Sequence, residues 1–142
     1  MGTAQARASE RAARDKARHW IDFVGLSEYA EAPVGTLSFG QGRLLEIARG
    51  LAAQPELMLF DEPAAGLTSA ECGRLAEIIR GIAAQGIAVL LIEHDMPFLM
   101  ALAQRVVVLN FGEKIAQGSP IEVQSDPAVV AAYLGQVKVG HA

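Results

Sequence analysis

Leu57-Met58-Leu59-Phe60-Asp61-Glu62 is the stretch on which the fold turns. Four apolar residues in an unbroken run, closed at once by two acids, suit a short strand buried on both faces. Two adjacent carboxylates at the end of such a strand cost free energy unless a cation or hydrogen-bond donors meet them. In open α/β sheets, ligands lie just outside the C-terminal ends of the strands. The chemistry this suits is hydrolysis of a Mg-nucleotide. One acid, Asp61, holds the metal through water, and the next, Glu62, orients or deprotonates the attacking water. The plainer alternative is a strand end whose acids face solvent.

The flanking sequence favours the chemical reading. Upstream, Leu37-Ser38-Phe39-Gly40-Gln41 stands immediately before a helix predicted for 39–53, with Leu44, Leu45, Ile47, Ala48, Leu51 and Ala52 on its apolar side and Gln54-Pro55 stopping it. Ser38 and Gln41 make a capping box. The same geometry offers an anion site: open amides at Gly40 and Gln41, the Ser38 hydroxyl, and the positive end of the helix dipole. Gly40 lets a phosphate come close to the backbone. Downstream, Thr68-x-x-Glu71 is a second capping box and opens a helix running to about Gly86. A second apolar strand, 87–92, ends in Glu93-His94-Asp95. His94, level with Asp61 and Glu62 on the neighbouring strand, is placed to hydrogen-bond a terminal phosphate, although a lone histidine at a strand end is more often structural.

Further out, residues 4–24 read as a helix with Arg7, Arg11, Arg14 and Arg18 on one face. Glu10, Asp15 and Asp22 are interleaved and no aromatic residue sits among the arginines, so a solvated face is preferred over a phosphate- or RNA-binding one. Residues 27–37, broken by Pro33 and Gly35, read as a loop. After His94 come a short helix over 97–103, a strand over 106–109, a turn at 110–113 and an antiparallel partner at 114–116. Ser119-Pro120-Ile121-Glu122 and Asp126-Pro127 each open a further helix. Strands alternating with helices predict an α/β fold with a mostly parallel sheet.

Composition narrows the classes. The 142 residues fit one domain, and 51% apolar with 20% charged residues is enough to bury a core. A net charge of −4 gives no general attraction to nucleic acid or to an anionic membrane, and no nucleic-acid partner is expected. The single Cys72 excludes an internal disulfide, and His19 and His141 lack the spacing of a zinc site. Ser38 lacks the glycine pair of a nucleophile elbow, which argues against a hydrolase triad with His94 and Asp95. The longest strongly apolar run, 87–92, is far short of the roughly 20 residues that cross a bilayer. The first eighteen residues lack the apolar stretch of a secretory signal.

Taken in order, these motifs resemble the C-terminal half of an ABC transporter ATPase subunit: signature motif (Leu37 to Gln41), Walker B strand (Leu57 to Asp61), the following acid Glu62, D-loop (Ala64 to Thr68) and switch histidine (His94). Within that family, Asp61-Glu62-Pro63-Ala64-Ala65-Gly66-Leu67, Ile92 to Met96 and Asp126 to Gly135 resemble the branched-chain amino-acid importers. The resemblance implies the C-terminal half of a P-loop NTPase domain, with flanking helices and a helical signature subdomain. Its parts would be 1–54 with the signature, 55–118 with the Walker B, D-loop and switch histidine, and a helical tail at 119–142. It implies ATP and Mg²⁺ as cofactors, with Glu62 and His94 catalytic and Asp61 holding the metal through water. Ser38, Phe39, Gly40, Gln41 and Gly66 would contact nucleotide across a dimer with a second ATPase subunit. Transmembrane permease subunits complete the assembly, which places the chain in the cytoplasm on the inner face of the plasma membrane.

The sequence also departs from the family. Phe39 replaces a more usual glycine, Gly42 weakens the helix by up to ~1 kcal/mol, and Thr68 stands where the branch has Asn. Above all, there is no Gly-Lys dipeptide, and Lys16, Lys114 and Lys138 lie in no glycine-rich turn, so the P-loop is missing. The chain reads as truncated and, by itself, neither binds ATP at ordinary strength nor hydrolyses it. The alternative is a non-catalytic fragment or interaction module that only pairs with a complete ATPase or a membrane subunit.

Overall fold

A computed structural model describes residues 4–134, so Gly135, Lys138 and His141 lie outside the described residues. The chain divides into two compact units, Met1–Phe98 and Leu99–Ala142.

The first unit begins with α1 (Ala4–Phe23), in which only Trp20 is buried. Its arginine face is solvated, and two of its arginines pair with acids, one interleaved on the helix and one beyond it. Arg14 meets Glu10 at 3.0 Å and Arg18 meets Glu31 at 3.2 Å. Pairs this exposed contribute at most about 1 kcal/mol each. The far end of α1 is held more firmly. Trp20 and Phe23 pack edge to face with centroids 5.6 Å apart. The Arg74 guanidinium donates to the carbonyls of Val24, at 3.0 Å, and Gly25, placing a cation at the negative end of the helix.

Two short 3-10 turns, Ser27–Tyr29 and Val34–Thr36, lead into α2 (Phe39–Ala52), whose Leu44, Ile47, Ala48 and Leu51 are buried. Then follow β1 (Leu57–Asp61), α3 (Ser69–Ala84) and β2 (Ala88–Ile92). Gly86, at φ +84°, supplies the left-handed residue that ends α3. β1 and β2 pair in parallel, from Leu57 against Ala88 to Asp61 against Ile92.

The expectation of strands buried on both faces is corrected here. Met58 and Phe60 turn inward and share a cleft with Ile47, Gly50 and Leu75 of α2 and α3. On the other face Leu57, Leu59, Leu90 and Ile92 are 51%, 68%, 55% and 57% exposed. A single crossover helix covers only one side of a parallel pair, and among the described residues no third strand joins β1 or β2.

The partition falls within α4 (Met96–Leu102). The second unit carries the antiparallel hairpin β3 (Val106–Asn110) and β4 (Glu113–Gly118), with a bulge at Val108/Leu109. Its two-residue turn, Phe111 at φ 48° and Gly112 at φ 81°, has the sign that suits the right-handed twist of a hairpin. α5 (Pro120–Ser125) and α6 (Pro127–Val129) follow, and a π-helical turn, Val130–Leu134, extends the last. Val106, Val108, Val123 and Val129 form the core of this unit. Among the described residues no helix is long and apolar enough to cross a membrane.

Candidate functional site

The site lies where β1 and β2 end side by side. Because the strands are parallel and in register, the chain leaves both at the same level, and the loop after each strand meets the other. The Glu62 amide donates to the Ile92 carbonyl at 2.9 Å, one step beyond the last paired residues. Glu62 itself sits at φ 45°, a left-handed conformation that a non-glycine residue adopts at a cost of roughly 1–2 kcal/mol. From there its carboxylate reaches His94, with Nδ1 3.2 Å from Oε1. The two side chains are 53% and 71% exposed, so the pair contributes about 0–1 kcal/mol and does not offset the strain at Glu62. Its value is chemical placement.

Asp61 is exposed at the strand end, and its carboxylate makes no hydrogen bond or ion pair among the described residues. An open carboxylate with a second acid beside it fits a hydrated Mg²⁺, which takes one or two protein carboxylates and fills its other positions with water and phosphate. No cluster of three or more His, Cys, Asp or Glu stands ready to hold a metal among the described residues.

Three anchors fix the frame around Glu62 and His94. Glu93, half-buried, accepts from the amide of Ala64 at 3.0 Å, and its second oxygen accepts from the amides of His94 and Asp95 at 3.1 and 3.3 Å. Asp95 accepts from the Phe98 amide at 3.0 Å and so caps α4. Charge-assisted bonds of this kind contribute about 1.5–3 kcal/mol each, enough to sustain the strained Glu62 conformation. Sequence reading assigned Glu93 and Asp95 no role. A cap ahead of Met96-Pro97 was legible for Asp95, whereas Glu93 gives no local signal because its partner lies 29 residues away.

The Ser38 turn is built as expected. Ser38 Oγ accepts from the Gln41 amide at 3.2 Å, and Gln41 Oε1 accepts from the Ser38 amide at 2.8 Å. The Ser38 hydroxyl proton and the Gln41 side-chain amide remain available as donors. Gly40 has a packing reason of its own: it is buried, and a Cβ there would collide with the Glu71 carboxylate at the start of α3. Phe39 is 60% exposed; its ring lies under the Arg43 guanidinium at 5.3 Å and close against Gly66. Gly66 is at φ +78°, which favours glycine, and a Cβ there would stand 3.2 Å from that ring, a tight contact. Ser38, Phe39, Gly40 and Gln41 are thus joined to the 64–68 loop and the α3 N-terminus, while Glu62 and His94 meet directly.

Thr68 caps α3, its Oγ1 accepting from the Glu71 amide at 3.3 Å. The reciprocal bonds from the Thr68 amide and hydroxyl hold the Glu71 carboxyl below its usual range. Burial, reinforced by Asp95, Glu93 and Glu71, pushes the Cys72 thiol up, which disfavours a thiolate and leaves Cys72 as a packing residue.

The chain has recognisable relatives among known proteins. Residues 3–65 match the ABC transporter family, and residues 113–138 match the branched-chain amino acid ATP-binding cassette transporter family. The chain is 42% identical over 131 residues to the high-affinity branched-chain amino acid transport ATP-binding protein BraF of Pseudomonas aeruginosa, covering 92% of this chain and 51% of BraF. It is 39% identical over 137 residues to the corresponding LivG of Escherichia coli K12, covering 96% of this chain and 54% of LivG. The ADP conformation of MJ1267, an ATP-binding cassette of an ABC transporter, superposes with a TM-score of 0.78 at 33% identity, covering 85% of this chain and 49% of that one. The chain therefore spans about half the length of the curated relatives it matches. With the paired strand ends, the ordered motifs and these matches in agreement, the chain belongs to the ABC transporter ATP-binding family, of whose α/β P-loop NTPase domain it forms a part.

Proposed function

We propose that this chain carries the hydrolytic half of the ATP-binding subunit of an ABC importer for branched-chain amino acids, working at the cytoplasmic face of the membrane. It would act with a second ATPase subunit and with transmembrane permease subunits. The observation that carries this reading is the 3.2 Å contact between Glu62 and His94 at adjoining strand ends, with Asp61 open beside it. Segments 1–54, 55–118 and 119–142 then take the roles of signature subdomain, hydrolytic core and tail.

Glu62 is the base: its carboxylate is exposed and has one partner, so a water can approach and lose a proton to it. His94 turns Nδ1 toward Glu62, which leaves Nε2 to face a terminal phosphate oxygen. Asp61 would hold Mg²⁺ through water, and the ion when bound neutralises charge on the phosphates. Ser38 and Gln41, with the amides opening α2, would bind the nucleotide of the opposite subunit, and Phe39 and Gly66 shape that surface. The phosphate cradle itself must come from sequence outside these 142 residues, so the chain alone is expected to be inactive. The rival reading is a non-catalytic fragment or interaction module that only pairs with a complete ATPase or a membrane subunit.

The test is a fusion of the chain to the P-loop half of a relative such as BraF, assayed for ATPase. Glu62→Gln should lower kcat by about 10²–10⁴-fold with ATP binding retained. A folded, ATP-binding fusion in which Glu62→Gln hydrolyses at the unsubstituted rate would sink the assignment.

A further inference from the structure

We propose that Glu93 is the positioning residue of this site, a carboxylate strap that ties the loop after β1 to the loop after β2 and thereby sets Glu62 against His94. The catalytic consequence rests on the ATPase reading above; the strap itself does not.

Three links join the two loops: the Glu62 amide to the Ile92 carbonyl at 2.9 Å, the Glu62 carboxylate to the His94 ring at 3.2 Å, and the Ala64 amide to Glu93 Oε1 at 3.0 Å. The first holds only backbone at the strand ends. The second joins two exposed side chains that water can separate. The third is shielded, since Ala64 is 8% exposed and Glu93 half-buried. Glu93 is also the one acid here whose two oxygens serve different loops, Oε1 taking Ala64 and Oε2 taking the amides of His94 and Asp95. Holding those two amides fixes the backbone from which the imidazole projects. Holding Ala64 fixes the turn that follows the strained Glu62.

This arrangement also separates the roles of the two glutamates. Both oxygens of Glu93 accept from amides, three bonds in all, so it is less free than Glu62 to take a proton from water. Glu62, with one exposed partner, keeps that position. Asp95 is occupied at the start of α4. Glu93 therefore acts through Glu62 and His94.

Nitrogen-15 NMR of the 142-residue chain tests this without nucleotide. In Glu93→Ala, amide exchange at Ala64 should accelerate at least tenfold, and the His94 ring-nitrogen signals should move to the positions they take in Glu62→Gln. Val89→Ala, which loosens β2 without touching the strap, should leave those ring signals in place. A folded Glu93→Ala chain with wild-type Ala64 exchange and wild-type ring signals overturns the proposal. Should Glu93→Ala fail to fold, Glu93→Gln decides. Its amide keeps one acceptor oxygen but turns a donor toward backbone N–H groups, so protection should fall on one loop only and the ring signals should shift; unchanged signals overturn the strap. In the BraF fusion, Glu93→Gln should lower kcat while leaving KM for ATP unchanged. Loss of the NMR effects counts against the strap, whereas an unimpaired Glu62→Gln fusion counts against the ATPase reading.

Discussion

The two pairs of strands solve burial differently. In the β3–β4 hairpin, Val106 and Val108 turn inward onto Val123 and Val129 while Val107 and Leu109 stay outside, so short-range chain supplies both faces of the packing. The β1–β2 pair needs all of α3 as its crossover, and even then Leu57, Leu59, Leu90 and Ile92 remain exposed on the uncovered face. The parallel pair gains something in exchange. Its strands end together and bring Glu62 and His94 into contact across 32 residues of sequence, which a hairpin, with its ends at opposite edges, does not do. Packing that is local favours self-sufficiency, and packing that is long-range assembles a site.

The largest expected effects probe the buried side of this contrast. Ile82→Ala, at a fully buried position on α3, should cost about 2–5 kcal/mol in chemical denaturation. Val123→Ala in the second unit removes two methyl groups at about 0.8 kcal/mol each plus a cavity, about 2 kcal/mol in all. Equal losses would erase the difference between the two cores.

Capping boxes come next, one chosen from each unit. Thr68→Ala and Ser119→Ala should each lower stability by about 1 kcal/mol, read as a shift in denaturation midpoint without a change in slope. The same boxes respond to acid. Bonds from Thr68 and Ser119 hold the carboxyls of Glu71 and Glu122 below 4.5, so each pairing contributes fully above that value and is lost as pH falls through the lowered one. Glu71→Gln should accordingly flatten the acid limb of the melting profile and leave the neutral limb parallel to wild type.

The smallest effect lies on the uncovered face. Leu59→Lys should change stability by no more than about 0.5 kcal/mol. Light scattering should show less self-association, because an apolar patch on a sheet with open edges has been interrupted. A large loss of stability instead would mean that the face is packed within this chain.

Much of this was legible because it is local. Ser38 with Gln41, Thr68 with Glu71 and Ser119 with Glu122 each announce a helix start within four residues, and all three boxes form. The acids after β1 and the histidine after β2 could be ranked as a site because parallel strands end at one level. Burial of β1 and β2 was misjudged, since an apolar run states what a strand can bury and not what covers it. Gly40 was read for phosphate access alone, and its contact with Glu71, 31 positions on, was invisible.

By itself, the sequence determined the elements, their caps and the kinds of groups able to hold a nucleotide, because propensity, capping and turn chemistry act over a few residues. Only the tertiary structure decided that Glu62 adopts a left-handed turn, that His94 meets it, and that Glu93 rather than Asp95 straps their loops together. Those outcomes depend on which distant amides fall within about 3 Å of a carboxylate, and that distance exists only once the two strands have paired.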